Sequence, residues 1–310
     1  MIPDGSERFY GIYPSTVLPM RANGAPDWEA YASHTEACVI QRGIVGVLCN
    51  GHAGENFVLD MAEKRRAVEV SVKTVGGSRI VVAGINKESS LAAAEEARIA
   101  RAAGADAIMV FAPNSFALAH AEDCAVRHHR IIAEAVPDMP VFLFQASVNA
   151  GQMGFTPAVL AQLLALPTVV GIKEGSWEAN RYDALRRQVK ALRPDVAVMA
   201  SGDEHLLACY VHGSDGSVVS LADIVPELIV ALDEAVRRHD LPLARTLHDR
   251  LEPLADAIYG APPGGRATVR LKWCLAELGR IADPAVRPPI GPVTAEEAAM
   301  LAAALSHAGL

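Results

Sequence analysis

The sequence has no apolar run approaching the roughly 18 residues that a membrane-crossing helix needs. Its opening stretch, MIPDGSERFY, lacks the basic-then-apolar order of a secretory leader. A cytoplasmic protein with no membrane partner is the expectation. Lysine and arginine form no block, and 28 of them against 36 aspartates and glutamates leave a formal charge of −8. That balance argues against nucleic acid as a partner and leaves small molecules as the expected ligands. The five cysteines (Cys38, Cys49, Cys124, Cys209, Cys274) are scattered and show no CxxC spacing. They read as core thiols, with neither a disulfide framework nor a metal site implied. The GxGxxG signature of a dinucleotide site is also missing after the first strand, which weakens a doubly wound sheet as the alternative fold.

What is present is a chain of 310 residues, 51% of them hydrophobic, enough to bury a large core. Short β-rich runs alternate with longer segments of helical period. The strand candidates are residues 10–17, 43–49, 79–84, 107–112, 140–145, 168–173, 196–201 and 216–221, and helices are expected over 60–75, 90–104 and 179–193 among others. Strands that are apolar throughout and separated by helices belong to a parallel sheet covered on its outer face, and eight such units close into a (β/α)8 TIM barrel. The expected division is a barrel over 1–222 and a C-terminal helical region over 223–310 packed on it, one structural unit interrupted by the loop-like YGAPPGGRATV (259–269).

The sixth strand candidate ends VVGIKEGSW, running apolar residues straight into Lys173. Barrel active sites sit at the C-terminal strand ends, so this lysine would face the mouth, partly desolvated and with a lowered pKa. Such an amine is a nucleophile for Schiff-base chemistry on a carbonyl; a solvated lysine after a strand is the plainer alternative. Glu174 follows, and alternation turns it to the opposite face, which gives it a structural role. After the second strand, CNGHAGEN (49–56) carries Gly51 and Gly54, which permit a tight turn whose backbone N–H groups converge on an anion. An ordinary βα turn, with Glu55 near the following helix start, is the alternative. His128 and His129 fall in a helical stretch without a matching carboxylate or cysteine pattern, so no metal is expected there.

GHAGE after strand two, GIKEGS at strand six, SGDE (201–204), GSDGSVVS (213–220) and the tail RLKWCLAELGRIADPAVRPPIGPVTAEE together resemble the dihydrodipicolinate synthase / N-acetylneuraminate lyase family of pyruvate-dependent class I aldolases. The resemblance runs from YGIYPSTVLPM to HAGL. It implies an imine between Lys173 and C2 of an α-keto acid, the carboxylate held by the backbone of His52 and Ala53, no cofactor or metal, and a homotetramer. Substrate contacts implied by matching positions are Gly51, Ala53, Gly54, Phe144, Gln145, Asn149 and Val218.

Departures from the family pattern bear on the reaction. The strand-five tyrosine is replaced by Phe144, which carries no proton, and the arginine five positions further on by Asn149. The strand-four loop, APNSFALAH, supplies no second tyrosine, though Asn114, Ser115 and His120 lie in it. Lysine-pathway synthase activity is therefore not expected. His52 takes the place of a threonine of the family turn and is the candidate for proton transfer, with an unperturbed pKa near 6.5; filling space is its other reading. Gln145 beside Phe144 matches some family dehydratases. The expected function is a lyase for an α-keto acid, either pyruvate-type or a 2-keto-3-deoxy sugar acid, acting by aldol cleavage or condensation or by dehydration. The alternative is a catalytically retired keto-acid binder, a sensor or an assembly subunit of the same fold.

Overall fold

The computed structural model describes residues 6–118, 120–260 and 264–310. Part of the 259–269 loop, residues 261–263, lies outside them. Eight strands are found among the described residues: β1 Gly11–Pro14, β2 Gly46–Cys49, β3 Ile80–Ile85, β4 Ala107–Val110, β5 Val141–Gln145, β6 Val169–Glu174, β7 Ala197–Ala200 and β8 Gly216–Val219. Consecutive strands from β2 to β8 pair in parallel, and β1 pairs with β8. Single parallel bridges, Ile12 to Ile44 and Ser15 to Leu48, join β1 to β2 and bring the sheet round into a (β/α)8 barrel.

The helices are α1 Trp28–Val39, α2 Met61–Val75, α3 Ser90–Ala102, α4 Glu122–Ala135, α5 Pro157–Leu164, α6 Ala179–Leu192, α7 Leu206–Val211, α8 Pro226–Arg237, α9 Leu241–Ala255, α10 Ala267–Glu277 and α11 Ala295–Ala308. The first eight alternate with the strands, so α8 completes the barrel and the appended helices are α9 to α11. Local chemistry sets the boundaries. Asp60 accepts from the N–H of Glu63 while the Glu63 side chain accepts from the N–H of Asp60, a reciprocal cap that starts α2 at the expected place.

Strands buried on both faces need apolar residues at every position, and all six residues of β3 are buried. The barrel interior is filled by Tyr13, Leu48, Val82, Met109, Phe142, Met199 and Val218. A single helical turn, Ser6–Phe9, precedes β1 and closes the N-terminal end, the Phe9 ring meeting Phe142 edge-on at 5.6 Å. Buried polar groups tie the outer layer down. Lys64 of α2 pairs with Glu96 of α3 at 2.8 Å. Asp223, beyond β8, accepts from the Val17 N–H at 2.9 Å and meets His34 Nε2 of α1 at 3.4 Å. Cys38 joins that cluster, its Sγ 3.8 Å from Asp223 Oδ1.

An irregularity in β6 decides which side chain reaches the barrel mouth. Val169 pairs with Val141, but the next pairing is Gly171 with Phe142, so Val170 is an extra residue. Val170 packs with the barrel interior, whereas Ile172 packs with the outer core. Strict alternation from Val170 would carry Glu174 inward and Lys173 outward; the bulge reverses this parity. Glycine is required at 171 because a Cβ there would stand 2.4 Å from the Phe142 ring.

Candidate active site

A cavity of about 580 Å³ occupies the C-terminal mouth of the barrel, and Lys173, His52, Ala53, Phe144 and Asp203 all line it. Lys173 is partly enclosed at the end of β6, its ammonium 5.6 Å from the centroid of the Phe144 ring. Burial holds its amine below the ordinary lysine range, and the charge of Asp203 pulls the other way. Asp203, buried in a helical turn after β7, accepts from the Leu221 N–H at 2.9 Å. Burial pushes its carboxyl well above the usual range, with the Leu221 N–H and the Lys173 charge among the opposing influences. Burial therefore favours the neutral form of each group, and their mutual attraction opposes it.

The turn after β2 is built differently from the expectation. Its left-handed residues are Asn50 (φ 53°) and Glu55 (φ 58°), flanking the glycines. Gly51 is needed for close approach, since a Cβ there would lie 2.8 Å from Ser15 Oγ, and one at Gly54 would lie 3.1 Å from the Thr16 carbonyl. The Asn56 side chain donates to the Asn50 carbonyl at 3.0 Å and closes the loop. Between these anchors the backbone N–H groups of His52 and Ala53 donate to no group among the described residues, which leaves them available to a bound anion. Glu55 is not at a helix start, because α2 begins at Met61. Its carboxylate is buried and taken up by Lys272 Nζ and by the Arg287 N–H.

His52 lies between Phe111 and Phe57, with ring centroids at 4.4 and 4.7 Å, and meets Phe144 nearly edge-on at 5.5 Å. Burial, with a lesser effect of the Lys173 charge, lowers its pKa to about 3. The imidazole is thus neutral at physiological pH. Its Nε2 is buried and meets no hydrogen-bond partner among the described residues.

Other sequence-derived candidates fall elsewhere. Gln145 is not in the cavity lining; its Oε1 accepts from the Phe155 N–H at 3.0 Å, and it lines a neighbouring depression together with His120. Asn149 is exposed, and its N–H donates to Ser147 Oγ. Val218 is buried among the barrel-interior residues. Asn114 does line the cavity. His128 and His129 are buried, each lowered to about 4 chiefly by desolvation, with Nδ1 atoms near Ser90 Oγ and the Ala125 carbonyl respectively. Glu174 is buried away from the mouth, and burial raises its carboxyl to about 7. Residues without an assigned role in the sequence reading also line the cavity: Asp203, Trp177 and Tyr259. SGDE was the visible signal for Asp203, and its position after the seventh strand could have placed the acid in the mouth.

A parallel (β/α)8 barrel with a partly enclosed lysine at the end of its sixth strand has the architecture of an aldolase-type lyase. The dihydrodipicolinate synthetase family matches residues 8–308, and the chain belongs to it. It is 32% identical over 306 residues to the 4-hydroxy-tetrahydrodipicolinate synthase of Hyphomonas neptunium, covering 97% of this chain and 99% of that one. The enzyme of the same name from Phenylobacterium zucineum is 31% identical over 303 residues, with 97% and 98% covered. Among solved structures, the chloride-inhibited dihydrodipicolinate synthase of Acinetobacter baumannii complexed with pyruvate superposes with a TM-score of 0.86 at 25% identity, over 97% of this chain and 99% of that one. A synthase variant described as monomeric gives 0.88 at 23% identity over the whole of both chains, a likeness of fold. Because the curated relatives carry the synthase name, the similarity lends no support to the expectation that lysine-pathway activity is lost.

Proposed function

We propose that this chain is a lyase in which Lys173 forms a Schiff base with C2 of an α-keto acid. The observation that carries this reading is the pairing, in one cavity, of a desolvated lysine at the β6 end with the unengaged N–H groups of His52 and Ala53. A keto acid bound with its carboxylate on the turn presents its carbonyl to the amine. Condensation expels water and leaves a protonated imine, which acts as the electron sink for cleavage of the C3–C4 bond or for loss of a C3 proton and a C4 hydroxyl. No metal is required in either case.

His52 enters as a neutral hydrogen-bonding group, through the Nε2 that lacks a partner, and Phe144 as an apolar neighbour of the imine. The residue names at the strand-five positions support aldolase or dehydratase chemistry over the synthase reaction, and the names of the relatives support the synthase. Borohydride reduction with pyruvate, followed by peptide mapping, tests the imine: a reduced adduct on Lys173 is expected, and its absence with pyruvate and with longer keto acids would leave the retired binder as the reading. A lysine-pathway synthase assay on the same preparation decides between the two reaction types. We further propose a cytoplasmic homotetramer, to be tested by light scattering. No helix among the described residues is long and apolar enough to cross a membrane.

A further inference from the structure

The cavity holds few charges that a ligand can use. Its charged lining residues, among those described, are Lys173, Asp203, Glu55 and Arg287. Glu55 is consumed by Lys272 and the Arg287 backbone. The Arg287 guanidinium is consumed too: Nη1 donates to Glu63 Oε2 at 2.7 Å and to the Val58 carbonyl at 2.8 Å, Nη2 donates to Glu63 Oε1, and Nε donates to the Gly24 carbonyl. Lys173 and Asp203 remain, and both belong to the keto-acid end. A second carboxylate further out would find no cation.

Three serines mark the strand ends. Ser15, Ser201 and Ser220 each follow directly on the last residue of β1, β7 and β8, so they gather around the strand ends where the lysine lies. The loops beyond contribute mostly apolar surface, Phe57, Met153, Trp177, Ile290 and the ring of Tyr259, with the polar groups of Asn114, Ser147 and Thr268 among them. Phe57 is 52% exposed although it is a phenyl ring. It stacks on His52, and across the site Trp177 and Tyr259 form a second ring pair with centroids 5.5 Å apart. Trp177 is held at a left-handed φ of 66°, an unfavourable conformation for a bulky residue that persists only where the surroundings enforce it. At about 580 Å³ the space is of the size that takes a drug-like ligand, far more than a three-carbon acid fills.

From this distribution we infer that the substrate is an α-keto monocarboxylate whose C4 bears an aryl or comparably bulky apolar group, rather than a polyol or a second acid. The inference rests on the Lys173 imine proposed above and adds the identity of the tail. Apolar walls strip water from sugar hydroxyls without replacing the hydrogen bonds, whereas an aryl ring gains from burial and from ring contacts. For a 4-aryl-4-hydroxy-2-oxo acid, the imine draws the C3–C4 electron pair into an enamine while the C4 hydroxyl loses its proton and becomes an aryl aldehyde. Protonation of the enamine at C3 and hydrolysis of the imine then release pyruvate. If the C4 hydroxyl leaves instead, with a C3 proton, the products are water and the conjugated unsaturated keto acid.

The test uses the full-length protein and two substrates with the same C1–C4 head, 4-hydroxy-2-oxo-4-phenylbutanoate and a 2-keto-3-deoxy sugar acid. Benzaldehyde or conjugated alkene is followed by ultraviolet absorbance, and pyruvate and dehydrated sugar acid by chromatography. Borohydride trapping of both substrates runs in parallel. The expected result is an adduct on Lys173 with each, and kcat/KM at least about 100-fold higher for the phenyl compound. Phe57→Ser should narrow that ratio by at least about fivefold; its half-exposed position makes it a tolerant site for the change. Equal or reversed preference with trapping intact overturns the apolar tail and leaves the imine standing. Failure of either compound, and of pyruvate, to trap removes the imine, and the tail falls with it.

Discussion

Lys173 and Phe144 are register partners across β5 and β6, and the ammonium stands 5.6 Å from the centre of the phenyl ring. The ring face attracts a cation by about 0.5–2 kcal/mol and offers nothing that titrates. The group beside the lysine therefore stabilises positive charge, on the ammonium and equally on an iminium, without taking part in proton transfer.

Lys173→Ala should abolish borohydride trapping and lower turnover by a factor on the order of 10³ or more, since neither Asp203 nor His52 can replace the amine as a nucleophile for imine formation. Intact mass after reduction and steady-state kinetics measure the two effects separately.

Asp203→Asn should move the alkaline-going limb of the pH–rate profile to lower pH. The nucleophile is the neutral amine, so rate rises with pH as Lys173 loses its proton. The charge of Asp203 raises the Lys173 pKa against burial, and removing it lets burial act with less opposition. Asparagine can still accept the Leu221 N–H, so the loop stays tied. A shift toward alkaline pH would refute the assigned relationship.

His52 should remain neutral well below the pH at which an ordinary histidine charges, because burial lowers its pKa to about 3. Nitrogen chemical shifts of the ring, followed from pH 8 to 5, should show one tautomer and no titration. The sign for stability follows: the unfolded chain binds the proton below about pH 6.5, so the folded state loses the contribution of this group as pH falls through that region. Titration near 6.5 would mean that the ring is wetter than its three aromatic neighbours allow.

Gly171→Ala should cost roughly 1–3 kcal/mol, read as a lower urea midpoint, because the added methyl group meets the Phe142 ring at 2.4 Å. The same residue follows the bulge that turns Lys173 inward, so trapping should also weaken in the variant that remains folded.

The barrel was legible in the sequence because its strands are apolar on both faces, a pattern that depends on burial and not on register. Lys173 and the turn at 50–55 were legible for the same reason that they work: a charge after an apolar run, and glycines where backbone must approach backbone. The bulge at Val170 was not, since an inserted residue alters which face each side chain takes without altering composition. Gln145 follows the regular alternation of β5: next to the inward Phe144 and paired opposite Glu174, it takes the outward side, and its amide oxygen accepts from the Phe155 N–H. Trp177 and Tyr259 come together across 82 residues of chain, a proximity that only the closed barrel and α9 create.

The buried carboxylate of Glu55 has partners 217 and 232 residues further along the chain, at Lys272 and Arg287. During synthesis the ribosome makes the turn at 50–55 first and adds the lysine that neutralises Glu55 217 residues later. Until that segment is made this acid has neither its counter-ion nor its backbone donor, so the turn gains this support only once α10 and the chain up to Arg287 have emerged. A nascent chain halted before residue 272 would carry its lysine and its glycine turn and still lack the clasp between them and the C-terminal region.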